Sequence, residues 1–312
     1  MAAGKAALLV AGGLLFLCGC PQPAAAASAL ASPPRPVASW DFSSSTPFVD
    51  TVNSYRLLQH NDSHPVVILP TNGTFKRAAA FNWASHETWA ECHNATCGNR
   101  LYAPRASVPK LAAIAGADAR VTVVAWVQLS TGQNIQRGGA FVGGVWEEDA
   151  SWRQYAIFMD GTGGCPAKNG LVAHISPEGG PSPGQKYCES RACGSTTLSP
   201  GVWHCVANSY DGTDVLAIVN GTVDTSKLAP SNNPFKLPNP PKFPNGGIFK
   251  PPVGGGANFS MGANFIHVGG GKGKGMLGNK FTGLVGAFSV YDVALQPAQI
   301  GAICDMRKLA SS

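Results

Sequence analysis

Apolar side chains alternate with polar or small ones along many short segments of this chain. In Val121–Leu129, the side chains at 121, 123, 125, 127 and 129 form one apolar face, and Thr122 and Gln128 lie on the other. This period of two is typical of a β-strand packed on one side. Related patterns predict further strands at residues 37–42, 66–69, 140–146, 154–159, 171–176, 202–209, 215–219, 265–268 and 281–291.

Helical periodicity is nearly absent from the sequence. The one helix we predict is short, covering residues 296–303 with Pro297 in its first turn. About ten strands without intervening helices predict an all-β fold, an antiparallel β-sandwich of jelly-roll type. Composition agrees, because only 13% of residues are charged, against about 25% in an average soluble domain. Residues 229–257, rich in proline and glycine, are predicted to form an irregular insertion over the sandwich.

The first 29 residues have the features of a signal peptide. A short basic start, Met1 to Lys5, precedes an apolar stretch at 6–17 and small residues at 24–29. We therefore expect a secreted protein with a linker at 30–36, one domain at 37–304 and a tail at 305–312. An alternative is a lipid anchor, because residues 17–20 resemble a lipobox that would lipidate Cys20. No later stretch reaches the roughly 18 apolar residues of a membrane span.

The net charge is +6, and its positive part is concentrated late in the chain. Between Asp224 and Asp292 there is no acidic residue, whereas seven lysines occur. Such a run can attract an anionic polysaccharide or a membrane surface, and it also suits a solvated loop region. No arginine is interleaved with these lysines, so we do not expect a nucleic acid as partner.

Cysteine usage also indicates export. Seven cysteines follow the predicted signal peptide, so at least one thiol stays unpaired within the chain. Two pairs with four residues between them, Cys92 with Cys97 and Cys188 with Cys193, are candidates for small disulfide loops. The spacing leaves the connectivity open. Five sequons for N-glycosylation indicate a eukaryotic secretory route and surface loops, at Asn61, Asn72, Asn94, Asn220 and Asn258.

Five motifs occur in the order found in one known family. They are Trp40-Asp41-Phe42, the strand with Trp126 at its centre, W-H-C-V-A-N-S-Y-D-G at 203–212, the strand that ends at Asn220-Gly221, and F-T-G-L-V-G-A-F-S-V-Y-D-V-A-L at 281–295. Together they resemble the laminin-G-like jelly-roll domains of the concanavalin A-like lectin and glucanase superfamily, over residues 37–304. The resemblance implies the sandwich fold and a range of functions that includes lectins, adhesion modules, glycosidases and lyases. It also makes calcium a candidate ligand, with Asp41 and Asp50 as candidate ligating residues.

The motifs of catalysis known for this superfamily are missing. Its glucanases carry alternating carboxylates on one strand face, whereas Glu147, Glu148 and Asp149 are consecutive. Zinc-protease and serine-hydrolase motifs are also absent from the sequence. We expect no catalysis, but a polysaccharide hydrolase or lyase with unrecognised catalytic residues stays an alternative.

One segment combines aromatic, acidic and basic side chains in a chain that has few charges. It is a predicted hairpin with the strand that follows it, and its candidate ligand-binding residues are Trp146, Glu148, Trp152, Arg153, Tyr155 and His174. Aromatic faces stack on sugars while carboxylates and guanidinium groups hold hydroxyls. Alternation places Arg153 and Tyr155 on one face. A solvated hairpin is the other interpretation. Trp126 and Trp203 are assigned to the core.

These observations favour a secreted, non-catalytic carbohydrate-binding or adhesion module. The expected partners are extracellular or cell-wall polysaccharides or the glycans of glycoproteins. A structural protein of a cell wall or matrix is a further alternative.

Overall fold

Two antiparallel β-sheets packed face to face make up the protein. The computed structural model describes residues 32–60, 64–81, 99–131, 139–160, 165–183, 188, 190–226, 246–266 and 276–309. The predicted signal peptide, Cys92, Cys97, Asn61 and Asn94 lie outside the described residues. The predicted fold class, an antiparallel β-sandwich with a C-terminal helix, is confirmed.

The larger sheet has eight strands. They are β1 (Ala38–Asp41), β3 (Val67–Pro70), β4 (Arg77–Phe81), β6 (Val121–Leu129), β11 (Trp203–Tyr210), β12 (Val215–Val219), β13 (Thr222–Val223) and β17 (Gly283–Tyr291). Their order is β13-β12-β11-β6-β17-β4-β3, and β1 also pairs with β17.

The second sheet has seven strands. They are β2 (Leu58–Gln59), β5 (Leu101–Ala103), β7 (Gly139–Glu147), β8 (Trp152–Asp160), β9 (Leu171–Ile175), β10 (Arg191–Cys193) and β14 (Phe259–Met261). Their order is β10-β9-β8-β7-β14-β5-β2. A separate pair is formed by β15 (Asn264–Ile266) and β16 (Met276–Gly278), and the helical elements are a 3-10 turn (Arg105–Ser107), α1 (Pro109–Ala112) and α2 (Pro297–Leu309).

The main core lies between the two sheets. All five side chains of the predicted apolar face of β6 are buried in it, and the ring of Trp40 stacks on Phe259 with centroids 4.7 Å apart. A second apolar cluster covers the other face of the larger sheet, where α2 contributes Ile300 and Ile303. Trp126 is buried in this second cluster, and Trp203 packs against it. Both tryptophans therefore pack in an apolar core, as predicted, but in the second cluster beneath α2 and not between the two sheets.

The described end of the predicted insertion is part of the sandwich. Ile248 is buried in the main core and exchanges backbone hydrogen bonds with Gly116. Residues 227–245 lie outside the described residues. The C-terminal helix begins at Pro297, one residue after the predicted start at Gln296, and continues six residues past the predicted end at Ile303.

Two disulfides are present, and the predicted pairing of Cys188 with Cys193 is wrong. The bonds join Cys165 to Cys193 and Cys205 to Cys304. Cys188 is reduced and buried, and its thiol lies 3.6 Å from the Ile175 carbonyl oxygen. The predicted loop fails because Cys193, the last residue of β10, lies opposite Val172 and is bonded to Cys165.

The described sequons differ in exposure. Asn72 and Asn220 are exposed, whereas Asn258 is half-buried and accepts a hydrogen bond from the Arg105 backbone N–H. Glycosylation at these positions stays a prediction.

The candidate calcium ligands, Asp41 and Asp50, accept hydrogen bonds from nearby backbone N–H groups. The Asp50 carboxylate accepts backbone N–H groups of Ser39, Val52 and Asn53, and Asp41 accepts that of Ser43. In the described part of the chain, no three His, Cys, Asp or Glu side chains gather as a metal site would require. Calcium binding stays a prediction. None of the described helices is long and apolar enough to cross a bilayer.

Candidate binding surface at the β7–β8 hairpin

A β-bulge in the β7–β8 hairpin decides which way its side chains point. Trp146 is opposite Arg153 and Val145 is opposite Tyr155, so Gln154 is an extra residue without a partner. An extra residue in one strand reverses the alternation on one side of it. Arg153 and Tyr155 therefore lie on opposite faces of the sheet. The prediction that they share a face is wrong.

Tyr155 belongs to the core and not to a ligand site. It is fully buried between the sheets, and its hydroxyl donates a hydrogen bond of 3.3 Å to the Leu111 carbonyl oxygen. Burial raises the pKa of its phenol. Trp152 is half-buried and packs against the same core. Stacking of a sugar on Tyr155 is excluded by its burial.

The other four predicted residues come together on the outer face of the seven-stranded sheet. The rings of Trp146 and His174 lie 5.1 Å apart, across the small Ala156 on the strand between them. The indole N–H of Trp146 donates to Glu148 Oε1 at 3.4 Å, and Glu148 Oε2 lies 3.8 Å from Arg153 Nη2. However, Trp146, Arg153 and His174 are each less than 9% exposed. Only Glu148, with 24% of its side chain exposed, is open to a ligand.

Burial sets the charge of this cluster. The pKa of His174 is well below its ordinary value because of burial and the positive charges of Arg191 and Arg153. The ring is therefore neutral near pH 7. Burial also raises the pKa of Cys188, which keeps its thiol protonated.

Glu147 forms a separate ion pair with a second arginine. Its carboxylate lies 3.0 Å from Arg100 Nη2, and both side chains are buried. Burial raises the pKa of Glu147 and lowers that of Arg100. Glu147 and Glu148 are thus paired with different arginines, Arg100 and Arg153.

Partly exposed aromatic rings continue the surface next to Glu148. The Glu148 backbone N–H donates to the Phe265 carbonyl oxygen at 2.9 Å. Phe265 meets His60 edge to face at 5.5 Å, and His60 meets Tyr102 at 6.3 Å. The Arg100 guanidinium lies 4.5 Å from the Phe265 ring centroid and 5.6 Å from that of Tyr102, so it contacts both rings. Asn279 completes the set, because its amide donates to Glu148 Oε1 at 3.2 Å.

We call this set the hairpin surface, and it consists of His60, Tyr102, Glu148, Phe265 and Asn279. Sequence reasoning included only Glu148. Phe265 was within a predicted strand but carried no signal of its own, and His60 and Tyr102 lie on short segments without strand periodicity.

An open groove of about 660 Å³ is a second candidate site among the described residues. It is lined by residues 113–120 with Lys110, Asp292 and Val293. Lys110, Asp118, Arg120 and Asp292 give it mixed charge, and none of its lining residues is aromatic. The groove therefore has no ring on which a sugar can stack.

Comparisons with known proteins find similarity in fold but not in sequence family. No protein-family model matches the sequence, and no curated protein matches it. Domain 4 of AbnA, a GH43 extracellular arabinanase from Geobacillus stearothermophilus solved with arabinotriose, is similar with a TM-score of 0.52 and 16% identity, over 88% of this chain and 100% of that one.

Two toxin binding domains are also similar. They are that of botulinum neurotoxin DC in complex with rat synaptotagmin II (TM-score 0.51, 9% identity) and that of Paraclostridial Mosquitocidal Protein 1 (TM-score 0.50, 12% identity). Each match covers 87% of this chain and 52% of the toxin chain, so this protein spans about half the length of those two. The likenesses show a shared β-sandwich fold.

Proposed function

We propose that this protein is an extracellular, non-catalytic glycan-binding module of laminin-G-like type, and that its ligand lies on the hairpin surface. The observation that carries the proposal is the contiguity of three partly exposed rings with a carboxylate and an amide, from Tyr102 through Phe265 to Glu148 and Asn279. Apolar C–H faces of a sugar pack on such rings. Its hydroxyls donate to a carboxylate and bond with an amide.

The hairpin surface is held in place before a ligand arrives. Glu148 is fixed through its backbone by Phe265 and through its carboxylate by Trp146 and Asn279. The rings lie against the buried Arg100. Groups that are already ordered lose little conformational entropy on binding. The surface is therefore suited to a weakly binding ligand such as a short glycan.

The comparisons and the disulfides support the proposal at a coarser level. The arabinanase domain of similar fold was solved with arabinotriose, but one fold hosts many functions, so the site carries the argument. Disulfides such as Cys205–Cys304 persist in oxidising compartments, in agreement with an extracellular location. The glycan itself would be a cell-wall or extracellular polysaccharide or the sugar of a glycoprotein.

A glycan array tests the proposal, with wild type compared with Tyr102→Ala. We expect wild type to bind a subset of glycans and Tyr102→Ala to bind them several-fold more weakly, because an aromatic contact contributes about 0.5–1.5 kcal/mol beyond its buried area. Tyr55→Ala is the matched control, since Tyr55 is also a half-buried tyrosine that packs on the core. Equal loss in both variants, or no glycan bound by wild type, would overturn the proposal. Release of reducing ends from a bound polysaccharide would favour the alternative, a hydrolase or lyase.

A further inference from the structure

Arg153 is a buried cation whose hydrogen bonds are incomplete. Its side chain is 4% exposed. Nε and Nη1 are buried and have no hydrogen-bond partner in the described part of the chain. Nη2 faces Glu148 Oε2 at 3.8 Å, which is an ion pair but longer than a hydrogen bond.

Such an arrangement is costly for a protein. A buried guanidinium needs a counter-charge and partners for its N–H groups, and one partner at long range supplies only part of this. A buried polar group without a partner therefore points to a water, an ion or a ligand that completes it. Arg153 is linked to the hairpin surface through its ion-pair partner Glu148, which belongs to that surface.

The surroundings of Arg153 favour an anion as the missing group. His174 is neutral, has Nδ1 buried without a partner, and is influenced by the positive charges of both Arg153 and Arg191. Glu148 is the acidic side chain paired with Arg153, and Glu178 is close enough to Cys188 to raise the pKa of its thiol. Glu148 Oε1 accepts hydrogen bonds from Trp146 and Asn279, and only Oε2 faces Arg153. A second negative group thus finds donors that Glu148 does not use.

We propose that the glycan of the hairpin surface is acidic, and that its carboxylate or sulfate ester binds Arg153 in competition with Glu148. This inference rests on the proposed function and names its substrate class. The ligand anion takes the place of Glu148 Oε2 beside the guanidinium, while Glu148 Oε1 keeps its bonds to Trp146 and Asn279 beneath the bound sugar. A planar guanidinium matches both anions, because it donates two parallel N–H bonds to neighbouring oxygens.

Two substitutions on opposite sides of the ion pair test the inference by calorimetric titration. The probes are a uronic-acid oligosaccharide, a sulfated oligosaccharide, a neutral oligosaccharide and sodium sulfate. Glu148→Gln removes the competing charge but keeps the shape. We expect it to bind the acidic probes about fivefold more tightly and the neutral probe no more tightly than wild type does. Arg153→Gln should lose about tenfold or more in affinity for the acidic probes and nothing for the neutral one.

The four probes distinguish failure of this inference from failure of the proposed function. If the neutral oligosaccharide binds as well as the acidic ones and neither substitution matters, the inference is overturned while the proposed function stands. If no oligosaccharide binds, the proposed function fails. If only sodium sulfate binds, and Arg153→Gln abolishes this, the position takes free anions and the glycan assignment is overturned. Should Arg153→Gln not fold, the direction of the Glu148→Gln effect on acidic probes still decides.

Discussion

His174 shows at the scale of one residue how burial changes chemistry. Its ring lies between Trp146 and Phe158, and two nearby arginines add positive charge. All of these favour the neutral form and lower its pKa well below the ordinary value near 6.5. In the unfolded chain the same ring takes up a proton near that value. The unfolded state therefore binds more protons just below pH 6.5, and folding stability falls as the pH falls through this window.

We expect His174→Gln to flatten this acid dependence in urea unfolding, by up to about 1.4 kcal/mol per pH unit. His60 and His204 also have lowered pKa values, so part of the slope should remain. His60→Gln is the matched control with a smaller effect, since His60 is only half-buried. An unchanged slope in His174→Gln would contradict this, because it would mean that His174 takes up its proton as readily in the folded protein as in the unfolded chain.

The bulge at Gln154 shows which property of the hairpin could not be predicted from the sequence, namely which side chains are exposed. The sequence identified the residue types of the hairpin, and Trp146, Glu148, Arg153 and His174 do lie together. It did not identify which side chains are exposed, because one unpaired residue reverses the alternation and leaves no trace in composition. Exposure also depends on Cys188, which is buried in one apolar cluster with Trp146 and Phe158.

At the scale of elements, β17 organises the larger sheet. It pairs with β6 along its length, with β4 through Val285 and with β1 from Ala287, and its register shifts between these two residues. Gly286 is the extra residue at this shift, because Val285 lies opposite Val127 and Ala287 lies opposite Trp126. A side-chain carbon at Gly286 would lie 2.5 Å from the ring of Phe75, which packs against Trp126 and Trp203.

Gly286→Ala should therefore destabilise the protein by about 1–3 kcal/mol in urea unfolding, because overpacking forces Phe75 to move. Phe75→Leu in the same chain supplies the control. The smaller side chain should recover part of the loss, so that the double variant is more stable than the sum of the two single effects predicts. Strict additivity would mean that Gly286 and Phe75 do not compete for space.

The elements that escaped prediction are short or lack strand-forming residues. The β4 sequence, Arg77–Phe81, is mostly alanine, and β5 and β10 have three residues each. Their strand conformation is imposed by neighbours that offer hydrogen bonds, such as β17 beside β4. Tertiary pairing of this kind overrides weak local preference. By contrast, β6 and β12 have the predicted bounds, because β6 has an unbroken apolar face and β12 is apolar throughout.

At the scale of the whole molecule, one disulfide joins distant parts of the chain. Cys205 on β11 and Cys304 on α2 are 99 residues apart and fasten the helix over the second apolar cluster. We expect the double substitution Cys205→Ala and Cys304→Ala to lower the free energy of unfolding by about 2–5 kcal/mol, since the bond restricts the unfolded chain. Cys188→Ala is the control, because Cys188 forms no disulfide. A double variant as stable as this control would contradict a structural role for the bond.

Chemical footprinting of carboxylates tests the central claim most directly, because the hairpin surface and the groove both expose them. Wild type is labelled with a carbodiimide, alone and with the glycan that binds best on the array. We predict that bound glycan reduces labelling of Glu148 and leaves Asp118 and Asp292 in the groove unchanged. Protection of Asp118 and Asp292 with unchanged labelling of Glu148 would contradict the account and move the ligand to the groove.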